Sequence, residues 1–233
     1  MGGYALLNNT TASNNTAVGY QAGYSNTTGA ANTFIGRSAG SSVTTGNDNT
    51  AVGYGSLNGA SGSGSNNAAF GEFALAVNTS GSYNTALGTG SLQANTTAND
   101  NTAVGYQSLY SNQTGPASTA IGYQALQNST GGYSTAIGWK AGAGQTTGDS
   151  NTYLGRGTAS LNTSTGSNNT AVGNYAYGNA TSGTNNTATG AGSLENTTSG
   201  SYNSAFGRQA LYSNTTASYN TAVGYQEIGR AHV

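Results

Sequence analysis

A glycine that returns every 16 to 18 residues constrains this chain more than any other feature. It stands at Gly19, Gly36, Gly53, Gly71, Gly88, Gly105, Gly122, Gly138, Gly155, Gly173, Gly190, Gly207 and Gly224, closing variants of the phrase Asn-Thr-Ala-Val-Gly. Successive spacings are 17, apart from 18 before Gly71 and Gly173 and 16 before Gly138. A short fixed period means that each unit cannot bury a core alone and must stack on its neighbours. Gly2 extends the series backwards, with Ala5 and Leu6 in the places of Ala125 and Leu126 after Gly122. The chain is therefore expected to start inside a repeat and to be a fragment of a longer protein.

With the glycine as position zero, position −4 is Asn in all coils except those of Ser118 and Ser134, and −3 is Thr except at Ala68 and Ser204. Position −1 is apolar except at Thr189, +3 is small, and +4 is often Leu, as at Leu57 and Leu109. The residues before the glycine alternate, as a strand with one buried face does. The apolar −1 residue marks that buried face and takes Thr at −3 with it, leaving Asn at −4 and Ala at −2 on the other. The small Ala face is expected to pack closely against another chain. The glycine supplies a positive φ or room for close backbone approach at a corner. A second short strand over +1 to +4 would send Leu inward, and an Asn-x-Thr-Gly phrase such as Asn112 to Gly115 closes the turn.

These readings give an all-β fold, a β-solenoid of thirteen coils of about 17 residues. Each coil buries few large apolar side chains against an ordering cost of roughly 1–2 kcal/mol per residue, so stacking is obligatory. At about 4.8 Å per coil, thirteen coils make a rod of roughly 60 Å, with Asn at −4 forming a ladder of shared amide hydrogen bonds. A core this thin is commonly supported by oligomerisation.

Composition narrows the function. A net charge of −1 with 5% charged residues offers no electrostatic footprint for nucleic acid. No apolar run reaches the roughly 20 residues that cross a bilayer, so no membrane insertion is expected of this segment. With no cysteine and a single histidine, His232, the chain has neither thiolate ligands nor the base of a Ser-His-Asp triad. No catalytic residue, metal site or cofactor is expected, and the chain is read as not an enzyme. Asp48, Asp100 and Asp149 lie in turns several coils apart, where carboxylates are solvated and do not converge on calcium.

Asn101 to Leu109, read Asn-Thr-Ala-Val-Gly-Tyr-Gln-Ser-Leu, and Ser118 to Leu126, read Ser-Thr-Ala-Ile-Gly-Tyr-Gln-Ala-Leu, resemble the head repeats of trimeric autotransporter adhesins and related phage tail-fibre segments. The likeness runs from Gly2 to Gln226. It implies a left-handed parallel β-roll, a homotrimer, and an extracellular place on a cell surface or virion. The chain departs from the adhesin pattern in its longer Asn/Thr/Gly turn and in Thr at −3, where those heads carry an aliphatic residue.

Residues 1–226 form the repeat domain. The last seven residues, 227–233, leave the repeat grid and back-translate into a common sequencing-adapter read, so they are expected to be a non-native tail.

The candidate contact surface is position +1: Tyr20, Arg37, Tyr54, Tyr106, Tyr123, Trp139, Arg156, Arg208 and Tyr225. Two roles are open for it. Exposed rings interrupted by guanidinium groups would offer flat apolar faces to host glycans or extracellular matrix; alternatively, the rings clamp adjacent coils at a corner. The function expected is a structural and adhesive segment of a surface adhesin or tail fibre, attaching by many weak contacts. The alternative is an ice-binding solenoid. Its threonine column would be the turn column of Thr27, Thr44, Thr96, Thr146 and Thr215, since the −3 column is expected to point inward.

Overall fold

The computed structural model describes residues 2–59, 62–227 and 230–231. They form two compact units, residues 1–117 and 118–233. The first carries β1 (Thr16–Val18), β2 (Thr33–Ile35), β3 (Thr50–Val52), β4 (Ala68–Phe70), β5 (Thr85–Leu87) and β6 (Thr102–Val104). The second carries β7 (Thr119–Ile121), β8 (Thr135–Ile137), β9 (Thr152–Leu154), β10 (Thr170–Val172), β11 (Thr187–Thr189), β12 (Ser204–Phe206) and β13 (Asn220–Val223), with β14 (Arg230–Ala231) antiparallel on β13. Of the expected tail, Ile228, Gly229, His232 and Val233 lie outside the described residues.

Within each unit, β14 apart, every strand pairs in parallel with the next, and the register follows the repeat: Thr16 meets Thr33, Ala17 meets Phe34 and Val18 meets Ile35. The thirteen parallel strands make a β-solenoid, with no helix among the described residues. The other expected strand, over +1 to +4, does not form. That stretch is a run of turns with positive φ at +2 and +4, as at Gln107 (51°) and Leu109 (49°), and the residue at −5 is also left-handed, as at Tyr133 (56°). Leu at +4 nevertheless points inward, because a left-handed residue swings its side chain across the coil: Leu57, Leu75, Leu92, Leu109, Leu126, Leu194 and Leu211 are all fully buried. Non-glycine residues enter this region at a cost of roughly 1–2 kcal/mol each, so stacking must offset several such corners per coil.

The strand faces are the reverse of the sequence expectation. Ala at −2 is buried, as at Ala51, Ala86, Ala103 and Ala136, and so is Asn at −4. The aliphatic at −1 faces out, with Val18 49%, Leu87 48% and Ile137 38% exposed, and Thr at −3 lies beside it. The reason is what the inside of a narrow coil requires. The interior crowds backbone carbonyls that need donors, and an unpaired buried carbonyl costs about 1–3 kcal/mol. Asn supplies the donor: Asn32 Nδ2 reaches the Gly46 carbonyl and Asn84 Nδ2 the Ala98 carbonyl, each at 2.9 Å. Its Oδ1 accepts the backbone N–H of the next Asn, as from Asn32 to Asn15 at 2.8 Å and from Asn203 to Asn186 at 2.9 Å. Where Ser118 and Ser134 stand, their hydroxyls take over: Ser134 N–H donates to Ser118 Oγ at 3.3 Å and Asn151 N–H to Ser134 Oγ at 3.2 Å. Between this ladder and the Leu column there is space at −2 for a methyl group in most coils.

The glycine column meets both demands expected of it. At Gly138, φ is +136° and an added Cβ would lie 2.6 Å from the Gly155 carbonyl oxygen of the next coil. Three departures at −2 and +4 are matched in volume. Gly23 and Gly40 replace Leu at +4, and the Phe34 ring fills both vacancies; Gly142 and Ala159 do the same around Tyr153. Tyr177 at +4 accompanies Ala180, which stands where Asn26 or Asn112 caps a turn carbonyl. The Tyr177 hydroxyl supplies the missing donor, to the Gly183 carbonyl at 3.0 Å, and accepts from Asn186 Nδ2 at 2.9 Å.

The two units share a longer period. An offset of 102 residues carries Gly36 onto Gly138, Gly53 onto Gly155 and Gly71 onto Gly173, so the two 18-residue coils coincide. It also carries the isolated bridge Val43–Gly62 onto Gln145–Ser164.

Burial raises the Tyr153 hydroxyl far above its ordinary value, reinforced by the neighbouring Tyr177, and burial raises Tyr177 likewise. Unfolded tyrosine ionises near 10.0, so above that pH the unfolded chain releases protons that the folded chain keeps. Stability is therefore constant in this respect below pH 10 and falls above it, by about a factor of ten in the folded ratio per pH unit and per tyrosine. The Tyr153 hydroxyl has no aligned hydrogen-bond partner. Tyr153→Phe is thus expected to be neutral or stabilising at pH 7 and to make the alkaline loss shallower, as read by urea titrations at pH 7 and pH 11.

Candidate functional site

Position +1 directly follows the glycine corner, so its side chain emerges where the outward sheet face ends. All nine residues singled out from the sequence are exposed there, among them Tyr20, Tyr106, Tyr123 and Tyr225. The rings keep part of their surface in solvent, and several lend part to an adjacent coil, as the clamp expectation has it. In the first unit Arg37 lies over the Tyr54 ring with Cζ 5.4 Å from its centroid, and Tyr54 meets Phe73 edge-on at 5.0 Å. In the second, Tyr123 and Trp139 are near-parallel at 6.4 Å, Arg156 lies 5.1 Å from Trp139, and Lys140 Nζ lies 4.9 Å from it. Arg208 is 5.5 Å from the Tyr225 ring. Each such cation–ring contact is worth about 0.5–1 kcal/mol at an exposed site, enough to hold the stripe in shape.

The stripe is not continuous. Within the first unit Glu72 and Thr89 occupy +1 between Tyr54 and Tyr106, and within the second Asn174 and Ala191 do so between Arg156 and Arg208. In both units the columns therefore cluster the aromatic and cationic groups around a two-coil gap. In the second unit the Glu195 carboxyl lies at that gap, and burial holds it above the usual carboxylate range.

Two surfaces are not legible from hydrophobicity alone. The −3 and −1 face, expected inside, lies outside, and the Ala at −2 in all coils but those of Phe34 and Tyr153 is the sequence signal of a tight inside. A second exposed column, Tyr83, Tyr133, Tyr202 and Tyr219 at −5, has no regular sequence signal because other coils place Asn, Asp, Ser or Ala there. Tyr202 and Tyr219 stack with centroids 5.0 Å apart and planes 2° from parallel.

The threonine columns are also reversed in role. The turn hydroxyls are spent on the neighbouring coil, as when Thr27 Oγ1 donates to the Thr44 carbonyl at 3.1 Å and Thr96 Oγ1 to that of Gln113 at 3.1 Å. The −3 column, expected to point inward, stands on the outer sheet face.

Asp48, Asp100 and Asp149 are exposed, and Asp149 Oδ1 accepts the Gly132 N–H at 2.7 Å. No group of three or more potential metal-ligating side chains occurs among the described residues, and they include no helix long and apolar enough to cross a membrane. Compared with protein-family models, with curated proteins and with solved structures, the chain matches none.

Proposed function

We propose that this chain is a structural and adhesive repeat segment of a surface-displayed adhesin or phage tail fibre, placed outside the cell on its surface or on a virion. In this reading it is a left-handed β-roll that acts as a homotrimer. The observation that carries the reading is the apolar sheet face: Val18, Ile35, Phe70 and Leu87 in one unit, and Ile121, Ile137, Leu154 and Phe206 in the other, are each 38–49% exposed. Aliphatic columns in register along parallel strands are a surface that an identical column covers, and symmetric self-association is the common outcome. Covering the exposed half of one such side chain is worth about 1 kcal/mol. Association costs an estimated 4–15 kcal/mol, so the column as a whole and no single residue drives it. With the sheet faces turned toward one another, the +1 stripe lies at the margin of the assembly, where repeated weak contacts with host glycans or matrix add up by avidity.

Sedimentation equilibrium checks the assembly. The expected mass is three times the 23.0 kDa of the chain, and Ile137→Glu, which would bury a charge at the axis, is expected to shift the protein to monomer with its circular dichroism unchanged. A wild-type monomer would contradict the homotrimer.

One observation favours a second reading. The −3 threonines stand at strand spacing on a regular sheet, facing out, and hydroxyls such as those of Thr85, Thr135 and Thr170 donate to no group among the described residues. An ice-binding surface needs such an array, but the bulky and uneven −1 column beside it, Phe70 next to Leu87 and Thr189 next to Phe206, disturbs flatness. Thermal hysteresis in a nanolitre osmometer separates the readings: the fibre segment is expected to show none.

A further inference from the structure

The gap in the second unit's stripe holds an open notch. At +2, where Gln21, Gln107, Gln124 and Gln226 stand in other coils, the order here is Gly157, Tyr175, Gly192, Gln209. Tyr175 packs its ring against Gly157, where an added Cβ would come within 2.5 Å of it, and Arg156 of that same preceding coil lies over the ring with Cζ 5.4 Å from its centroid. Gly192, in the following coil, puts no side chain on the other face. The result is a notch of about 220 Å³ lined by Asn174, Tyr175, Ala191, Gly192, Glu195, Arg208 and Gln209. That volume equals about seven waters, room for one six-membered ring with its substituents.

The polar groups around the notch are not spent on the protein. No described residue hydrogen-bonds or ion-pairs with the Glu195 carboxyl or with the Asn174 amide, and Gln209 gives its Oε1 to Gln226 Nε2 at 3.1 Å while its own amide nitrogen stays unpaired. Arg208 holds its guanidinium over Tyr225 by stacking, which leaves its N–H groups for a ligand. One carboxylate and one guanidinium cancel in charge, so an anion would meet Glu195 and a cation would meet Arg208. A neutral ligand with several hydroxyls and one apolar face fits both the charges and the ring.

The same residue pattern recurs at the offset of 102 residues. In the first unit Phe73 lies on Gly55, with 2.8 Å to an added Cβ, and Gly90 follows it, with Gln93 where Glu195 stands and Gln107 where Gln209 stands. A pattern that keeps glycine on both sides of one ring in both units is a feature of the repeat.

We propose that the notch over Gly192 is a subsite for one pyranose ring of a neutral surface polysaccharide. The C–H face of the sugar rests on Tyr175, and its hydroxyls exchange hydrogen bonds with Glu195, Arg208, Asn174 and Gln209. This rests on the attachment reading above and names the chemistry by which the stripe would attach.

Gly192→Gln tests it, because it installs the side chain common at this grid position and covers the open face of Tyr175. An added Cβ there meets the flexible end of Glu195 at 2.9 Å, Gln209 Cγ at 3.3 Å and the Tyr212 ring at 3.8 Å, side chains that can give way and no backbone among them. Saturation-transfer NMR on the full chain would use methyl β-D-glucopyranoside, methyl β-D-galactopyranoside and N-acetyl-D-glucosamine, with glycerol as a polyol lacking a ring. Transfer to the C–H protons of at least one pyranoside is expected, with affinity about tenfold or more lower in Gly192→Gln and lower to a smaller degree in Glu195→Gln. No transfer to any pyranoside, equal transfer to glycerol, or unchanged affinity in Gly192→Gln would each overturn the subsite. Polysaccharide-coated surfaces distinguish its failure from that of the attachment reading: equal retention of wild type and Gly192→Gln removes only the notch, while no retention of wild type removes attachment itself.

Discussion

Gly138→Ala is expected to lose more than about 3 kcal/mol of stability and to lower the thermal midpoint more than any other single methyl addition considered for this chain. Two costs coincide there. The backbone sits at φ +136°, a region open in practice to glycine alone, and the new Cβ would press on the Gly155 carbonyl at 2.6 Å. The carbonyl cannot retreat, because the next glycine column member stacks on it in turn: Gly155 faces Gly173 at 2.6 Å to an added Cβ. Gly192→Ala is the control, since its φ of +67° is one that Tyr175 and Gln209 adopt at the same grid position with 52° and 57°. It is expected to cost about 1 kcal/mol. Thermal and urea unfolding followed by circular dichroism check both; equal losses would mean that the column is not under the constraint described.

Phe34→Ala is expected to destabilise by about 3–5 kcal/mol, although it moves the chain toward its own consensus. In most coils Ala at −2 faces Leu at +4, but around Phe34 the +4 residues are Gly23 and Gly40. Removing the ring would leave a cavity bounded by two glycines, which have nothing to swing into it. Adding Gly23→Leu and Gly40→Leu is expected to recover much of the loss, because left-handed Leu is the rule at +4, as at Leu75 with φ 52°. In the presence of Phe34 the same two leucines should be strongly destabilising, since an added Cβ on Gly23 already lies 2.6 Å from the ring. A double-mutant cycle by urea unfolding reads this coupling directly, and additive effects would refute it.

How far the sequence discloses this molecule depends on the residue. Period, strand position, the glycine corner and the Asn ladder follow from repetition, because what recurs in every coil must satisfy the same backbone geometry in every coil. The facing of the strand does not. Alternation gives two faces without saying which is inside, and hydrophobicity pointed to Val18 and Ile137, whereas carbonyl satisfaction by Asn32 and Asn203 and the small volume at Ala51 decided the matter. The +1 stripe was legible as a column, since Tyr20, Tyr54 and Trp139 share a grid position. The notch is legible only through the 102-residue offset, which pairs Gly90 with Gly192 and Gln93 with Glu195 and which the 17-residue period does not contain. The filling of the Gly40 and Gly142 vacancies, by Phe34 from the same coil in one unit and by Tyr153 from the following coil in the other, is a matter of three-dimensional space that spacing alone does not report.

The outward aliphatic face, covered by copies of the same chain, is the claim on which the fibre reading stands. The chain has no cysteine, so Ile137→Cys introduces a unique thiol into the −1 column. Under mild oxidation it is expected to give covalent dimers on a denaturing gel and, before oxidation, to react with maleimide far more slowly than Tyr133→Cys at the exposed −5 column. A thiol at position 137 that forms no disulfide and reacts as fast as the one at 133 would show that face to be open to water, and the assembly to be wrong.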